Sequence, residues 1–180
     1  MSFIKKIEEF YYMKIKKNHV LYARKLGVRI GDGCQILTNP RLVFGTEPWL
    51  IKIGDHVDIT AGVKFLTHEG GIWVVRGLNK KYDDLDCFKP IKVGNNVLIG
   101  VNSLIMPGIT IGDNVIVAAH SVVTKDVEND TIIGGNPAKI IGKTSDFVER
   151  FAARETLPTK RMTIKQKKDY LMKVHPEWFE

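Results

Sequence analysis

An apolar residue recurs at every sixth position along the middle of the chain. From Val93 onward these positions are all aliphatic: Val93, Ile99, Ile105, Ile111, Val117 and Val123. The same period occurs upstream, first at Ile30, Ile36 and Leu42, and again at Ile53, Ile59 and Phe65. A period of six matches neither the 3.6-residue repeat of a helix nor the two-residue repeat of a strand. It predicts short strands, each followed by a tight corner.

The position three residues after each apolar one supports this interpretation. It is filled by Gly33, Asn39, Gly45, His56, Gly62, His68, Asn96, Asn102, Gly108, Asn114, His120 and Asp126. These residue types best tolerate the positive φ of a tight corner. Three strands close a coil of about 18 residues, and stacked coils pair their strands in parallel. The pattern predicts an all-β core built as a parallel β-helix. A sandwich of hairpins would not keep this period through six successive units.

The period breaks twice, between Leu42 and Ile53 around FGTEPWL, and between Phe65 and Val93. Both excursions leave at the same corner, after the third strand of a coil. Helical spacing precedes the repeat, and two further helices are predicted after it, at 145–153 and 163–174. These boundaries predict a helical segment at 1–26, a β-helix at 27–143 with an extruded loop at 69–92, and a helical extension at 144–180.

Four stretches carry a resemblance to a known family: IKVGNNVLIG, IMPGITIGDNV, SVVTKD and GGNPAKIIGK. They resemble the left-handed β-helix, hexapeptide-repeat acyltransferases. The closest branch contains galactoside and maltose acetyltransferases, xenobiotic acetyltransferases, and the O-acetyltransferases of capsule and lipopolysaccharide assembly. The resemblance implies the left-handed winding, a homotrimer, and active sites with acetyl-CoA in clefts between subunits.

His68 is the candidate catalytic residue. His56 and His120 occupy equivalent corners, so position alone does not distinguish it. His68, however, stands where the long loop leaves the repeat, between Gly45 and Gly108 in the stack, which leave room for a substrate. The resembling family places its catalytic histidine at the start of this same loop.

One histidine suffices for the expected chemistry. An imidazole, whose ordinary pKa is about 6.5, accepts a proton near neutral pH. We expect His68 to deprotonate an acceptor that attacks acetyl-CoA directly, without a covalent enzyme intermediate. Glu69 or Asp58 is expected to orient the ring, although Glu69 is equally consistent with a solvated loop carboxylate.

Further residues are candidates for binding the two substrates. Those for the acceptor are Asp58, Trp73, Arg76 and Tyr82, since aromatic faces suit sugar rings, with plain loop packing as the alternative for the last three. By the resemblance, Ala119, Thr124 and Lys125 line the pantetheine arm and adenine end, and Gly135, Pro137 and Lys139 lie near the nucleotide. Val101 and Gly62 depart from the sugar-acetylating branch, where a serine and an asparagine are often found.

Composition narrows the partners. The chain is 44% hydrophobic and 26% charged, a globular balance. It lacks a long apolar run, a signal-peptide pattern and a C-x-x-C pair, which together indicate a reducing cytoplasm. The net charge of +7 favours anionic partners. Its lysines cluster in KIKK and KQKK near the ends, which argues against nucleic acid and allows at most peripheral membrane contact.

The predicted function is acetyl transfer from acetyl-CoA to a hydroxyl of a sugar, or of a sugar nucleotide, in surface polysaccharide or lipopolysaccharide assembly. N-acetylation of a nucleotide-linked amino sugar, or acetylation of an antibiotic, is the alternative within the same chemistry. A zinc enzyme would need three convergent histidines. In this chain His56, His68 and His120 occupy three different corners, so no metal is expected. A non-catalytic assembly module would not need the break in the repeat at His68.

Overall fold

The computed structural model describes residues 3–180, with side chains from residue 6 onward. Two helices precede the repeat: α1 (Phe3–Phe10), which continues as a π-helical turn at Tyr11–Ile15, and α2 (His19–Leu26). The predicted N-terminal helix is thus confirmed, whereas the bounds of α2, which lies within the predicted helical segment 1–26, were not predicted. Asn18 caps α2 by accepting the Leu21 N–H at 2.9 Å, and Gly27 ends it with a φ of 109°.

Short strands follow and form the solenoid. They are β1 (Arg29–Ile30), β2 (Gln35–Ile36), β3 (Ile51–Ile53), β4 (Val57–Ile59), β5 (Lys64–Phe65), β6 (Ile91–Val93), β7 (Val97–Ile99), β8 (Leu104–Ile105), β9 (Thr110–Ile111), β10 (Ile116–Val117), β11 (Val122–Val123), β12 (Thr131–Gly134) and β13 (Lys139–Lys143). The first sheet runs β1-β3-β6-β9, the second β2-β4-β7-β10-β12-β13, and the third β5-β8-β11. All pairs are parallel except β12–β13, which closes the second sheet as an antiparallel hairpin.

The strand register confirms the predicted coil. Val93 pairs with Ile111, and partners in the regular coils lie 18 residues apart. The earlier coils advance by 23 and then by 40 residues, because they carry the two excursions. The first excursion contains α3 (Pro40–Phe44) and a 3₁₀ turn at Pro48–Leu50, and the second contains α4 (Ile72–Leu78) and a 3₁₀ turn at Lys80–Tyr82.

The core lies inside the triangular coil. Ile51, Ile59, Ile91, Ile99 and Ile105 are fully buried, each with 0% exposure. Burying one such side chain contributes about 1.5–3 kcal/mol. The stack of aliphatic positions therefore stabilises each coil on the next.

The predicted corners are confirmed where the repeat is regular. His56, Asn96, Asn102, Asn114 and His120 have positive φ. The prediction is wrong at Asn39, His68 and Asp126, where the chain leaves or shortens the repeat. It is also wrong at Leu42, which is 69% exposed, since α3 replaces the expected strand and buries Val43 and Phe44 instead.

Two helices end the chain: α5 (Thr144–Ala152) and α6 (Ile164–Val174). Both predicted helices are confirmed within one residue. Thr163 begins α6 with a capping box, in which its hydroxyl accepts the Gln166 N–H and the Gln166 side chain accepts the Thr163 N–H. The chain divides into two compact units between Phe147 and Val148.

Candidate active site

His68 lies where the second excursion leaves the solenoid, after β5. It pairs with Phe88 in an isolated antiparallel bridge, and the Phe88 ring meets the imidazole edge-on at 6.3 Å. Two backbone hydrogen bonds of 2.9 Å, from Glu69 to Cys87 and from Lys89 to Thr67, close the base of the loop. The His68 side chain is 47% exposed, so it is fixed by its backbone but open to solvent.

The first excursion supplies a carboxylate to this histidine. Oε2 of Glu47 lies 3.0 Å from Nδ1 of His68 and accepts a hydrogen bond of 2.6 Å from the Thr67 hydroxyl. The Glu47 side chain is only 16% exposed. Burial alone would raise the pKa of Glu47. Hydrogen bonds from Thr46, Thr67 and His68 outweigh burial and hold that pKa below its ordinary value.

This contact fixes the tautomer of the ring. A carboxylate accepts hydrogen bonds and cannot donate them, so the neutral imidazole carries its proton on Nδ1. Nε2 then presents a lone pair and has no hydrogen-bond partner among the residues that the structure describes. The arrangement can accept a proton at Nε2 while Glu47 stabilises the cation that forms.

The other corner histidines lack such a partner. Nδ1 of His56 lies 2.8 Å from the amide oxygen of Asn96, and Nε2 of His120 lies 3.5 Å from the amide nitrogen of Asn102. A neutral amide offers an imidazolium less stabilisation than a carboxylate does. His68 is thus distinguished from them by its chemistry as well as by its position.

The two carboxylates expected to orient His68 have other surroundings in the structure. Glu69 accepts the Gly71 N–H at 3.2 Å through its own side chain. Asp58 lies on β4 in the second sheet, opposite the corner that carries His68. Glu47 was missed, although one signal pointed to it: both excursions leave from the same corner of successive coils.

The residues predicted to bind the acceptor differ from one another in exposure and in their contacts. Nη2 of Arg76 donates to the Leu85 carbonyl and to Asp86, each at 2.5 Å, and thereby ties α4 to the returning loop. Trp73 is 78% exposed, and Tyr82 is half-buried with the Lys81 ammonium 4.6 Å from its ring centre. Oδ1 of Asp58 is buried and has no hydrogen-bond partner within residues 3–180.

Four of the six candidate cofactor residues line one cleft of about 410 Å³: Thr124, Lys125, Pro137 and Lys139. Ala119 lies at the corner between the second and third sheets, and the Gly135 carbonyl accepts the Val122 N–H at 2.9 Å, so neither belongs to the cleft lining. The cleft begins after β11, at the corner that His68 occupies two coils earlier. With strands about 4.8 Å apart, the two sites are separated by about 10 Å along the solenoid.

The lining of this cleft combines cationic, anionic and apolar side chains: Lys125, Lys139, Asp126, Glu128, Ile133 and Ile140. The two lysines can pair with phosphate oxygens, and the two isoleucines offer apolar surface. In the described part of the chain, no group of three or more His, Cys, Asp or Glu side chains is placed to hold a metal ion. No helix between residues 3 and 180 has the length and apolarity needed to cross a membrane.

Comparison with known proteins defines the class. Residues 90–125 match the family model described as bacterial transferase hexapeptide (six repeats). Protein CapG of Staphylococcus aureus is 52% identical over 163 residues, which cover 89% of this chain and 92% of CapG. Galactoside O-acetyltransferase of Escherichia coli K12 is 46% identical over 120 residues, which cover 67% of this chain and 57% of that enzyme.

A solved structure gives the same class. The hexapeptide-repeat containing acetyltransferase of Vibrio cholerae O1 biovar eltor, in complex with acetyl coenzyme A, has a TM-score of 0.56 at 38% identity. The match covers 66% of this chain and 61% of that one. The fold and these relatives define the class of left-handed β-helix acetyltransferases. The chain belongs to the hexapeptide-repeat transferase family.

Proposed function

We propose that this acetyltransferase moves an acetyl group from acetyl-CoA to a hydroxyl of a sugar, with His68 as the general base. The observation that carries the proposal is the contact between Glu47 and Nδ1 of His68, which leaves Nε2 unprotonated at an exposed position. The names of two relatives support the substrates, one being a galactoside O-acetyltransferase and the other a complex with acetyl-CoA.

The proposed step needs one proton acceptor. As the acceptor oxygen forms a bond to the acetyl carbonyl carbon, its proton passes to Nε2 of His68. The carbon–sulfur bond then breaks, and the proton returns from His68 to the departing thiolate. Glu47 holds the ring in place and stabilises the imidazolium between the two transfers, in the way a buried carboxylate supports a catalytic histidine.

Acetyl-CoA would lie in the cleft formed by Thr124, Lys125, Pro137 and Lys139, with its phosphates near the two lysines. Its acetyl end would reach along the corner toward His68. Ala119 and Gly135 are proposed as contacts only on the family resemblance. Lys125 and Lys139 are proposed as the phosphate partners because they are the cations among the residues that line the cleft, which also include the carboxylates Asp126 and Glu128.

The acceptor would be held beside the second excursion. Trp73 offers its exposed ring to the apolar face of a sugar, while Tyr82 and Arg76 shape the loop around it. In the homotrimer that the family resemblance implies, the second sheet of a neighbouring protomer would complete the sugar site beside His68. The unpartnered Oδ1 of Asp58 on that sheet could then accept a hydrogen bond from a sugar hydroxyl. We propose a sugar of a surface polysaccharide or lipopolysaccharide as the acceptor class.

Release of the CoA thiol tests this proposal. The purified protein is supplied with acetyl-CoA and a panel of neutral sugars, nucleotide-linked amino sugars and chloramphenicol. We expect turnover with sugar hydroxyls and an ester product. Turnover only with amines would favour N-acetylation, and turnover only with chloramphenicol would favour antibiotic acetylation.

A matched pair of variants tests the role of His68. His68→Asn removes the base but keeps a side chain that reaches Glu47, and we expect turnover to fall by at least about 100-fold. His56→Asn makes the same change at a corner with a φ of 55°, which asparagine tolerates, and should retain wild-type turnover. Equal activity of both variants would refute the assignment.

A further inference from the structure

The N-terminal helix packs on the rest of its unit through its polar side. Glu8 lies 3.7 Å from the Lys25 ammonium, and Glu9 lies 3.3 Å from Nε of Arg41 and accepts a hydrogen bond from Asn39. In the following π-helical turn, the Tyr12 ring stacks on Tyr22 with the centres 5.6 Å apart. The carboxylates of this segment are therefore half-buried and paired.

The opposite side of the segment is apolar and exposed. We define the N-terminal apolar face as Ile7, Phe10, Tyr11 and Ile15, which are 53, 59, 40 and 62% exposed. An amphipathic helix of a globular protein ordinarily buries its apolar side and exposes its polar side. Here the order is reversed, so the apolar face is left for a partner outside the chain.

Charge identifies the chemistry of that partner. Lys6, Lys14, Lys16 and Lys17 are exposed around the N-terminal apolar face, and the Lys16 ammonium lies 5.9 Å from the Tyr11 ring centre. Within residues 6–17 the only carboxylates are Glu8 and Glu9, which face the domain. A second copy of the same face would bring four more lysines against these four. Like-charge repulsion therefore disfavours self-association through it.

We propose that residues 3–17 bind the surface of an anionic lipid bilayer. The N-terminal apolar face enters the boundary between headgroups and acyl chains, and the four lysines remain at the level of the acidic headgroups. Helices that lie in the bilayer interface have this combination of an apolar stripe and flanking cations. Each lysine near an acidic surface contributes a similar increment of attraction, so the cluster makes binding both lipid-selective and salt-sensitive.

Sedimentation with vesicles tests the proposal, using the full-length protein. We expect binding to phosphatidylcholine vesicles that contain about one-third phosphatidylglycerol, and little binding to pure phosphatidylcholine. Raising the ionic strength from 0.1 M to 1 M shortens the screening length from about 10 Å to about 3 Å and should release the protein. Failure to bind the acidic vesicles would overturn the proposal.

Matched variants distinguish binding through the N-terminal apolar face and its lysines from a general effect of the protein's positive charge. Lys14→Gln/Lys16→Gln/Lys17→Gln should weaken binding by about 100-fold, and Phe10→Ser/Ile15→Ser by at least about tenfold. The control Lys160→Gln/Lys165→Gln/Lys167→Gln removes the same charge elsewhere and should retain most binding. Equal loss in the control, or full binding by Phe10→Ser/Ile15→Ser, would contradict the assignment.

Two further measurements show whether a loss of vesicle binding comes from unfolding or from damage to the active site. Circular dichroism and acetyl-CoA turnover should be unchanged in every one of these variants, since none alters the site at His68. If the apolar variants instead change the mass in sedimentation equilibrium and do not affect vesicle binding, the face joins copies of the chain and the membrane proposal is wrong.

Discussion

At the scale of single residues, the site depends on which side chain each corner histidine meets. His68 meets a carboxylate, whereas His56 and His120 meet amides. A histidine that cycles between neutral and charged forms gains from a fixed anion at one nitrogen and a free lone pair at the other. The Glu47–His68 contact therefore supports the proposed catalytic role of His68 more strongly than the corner position does.

Glu47→Gln tests the orienting role of this carboxylate. The glutamine amide can donate to Nδ1 and so place the proton on Nε2, the wrong tautomer for a base, and we expect kcat to fall at least tenfold. Glu69→Gln makes the same chemical change one residue from His68, where the side chain contacts Gly71 instead. A larger loss in Glu69→Gln than in Glu47→Gln would restore Glu69 as the orienting residue.

The pH dependence of stability gives a second test of the same pair. Because the pKa of Glu47 in the folded protein is below its ordinary value of 4.5, its ionised form stabilises the fold. That contribution is present above about pH 4.5 and is lost as the pH falls through the lowered pKa. Urea unfolding of the wild type and Glu47→Gln should show a difference at pH 6 that shrinks below pH 4. A difference that grows on acidification would contradict the contact.

At the scale of elements, the coils stack through glycines at the start of the first corner. A Cβ added to Gly94 would lie 2.7 Å from the carbonyl of Gly112 on the next coil. Likewise, a Cβ added to Gly54 would lie 2.6 Å from the carbonyl oxygen of Gly94. The stack therefore leaves no room for a side chain at this corner.

Gly94→Ala should lower the free energy of unfolding by about 1–3 kcal/mol, because the methyl group forces two coils apart. Gly77→Ala is the matched control: Gly77 lies in α4, where an added Cβ has no neighbour within 4 Å. It should be neutral or stabilising by about 0.5–1 kcal/mol, as expected for alanine in a helix. Thermal unfolding of both variants checks this, and equal destabilisation would contradict the stacking.

The regular coils could be predicted from sequence because each position repeats its neighbour's environment. Val93, Ile111 and their equivalents occur at fixed spacing, so the pattern specifies the register directly. The Glu47–His68 contact could not be predicted in the same way, since it joins two aperiodic excursions whose backbones follow no repeat. The α3 helix was not predicted for a similar reason. Leu42 fits the six-residue apolar period, but Asn39 and Pro40 begin a helix there.

At the scale of the whole molecule, two separate groups of lysines carry part of the positive charge. Lys125 and Lys139 line the candidate cofactor cleft, and a separate group of lysines surrounds the N-terminal apolar face. We therefore propose that part of the net charge of +7 serves two separate anionic ligands, acetyl-CoA at the cleft and acidic lipid at the N-terminal apolar face. Sedimentation equilibrium of the proposed homotrimer should give three times the mass of the chain.

The cleft lysines are expected to affect acetyl-CoA binding more than the chemical step. Lys125→Gln and Lys139→Gln should each raise the KM for acetyl-CoA roughly fivefold, as for a solvent-exposed ion pair, and leave kcat nearly unchanged. Lys167→Gln, in α6, serves as the control. Unchanged KM in both cleft variants would place the phosphates elsewhere.

A crystal structure with CoA and an acetylated acceptor bound tests the proposed role of His68 most directly. We predict that the esterified oxygen lies about 2.6–3.2 Å from Nε2 of His68, with Glu47 still on Nδ1. We also predict that the CoA phosphates lie beside Lys125 and Lys139. An acceptor oxygen held by another residue, with the His68 ring away from both substrates, would contradict general-base catalysis by His68.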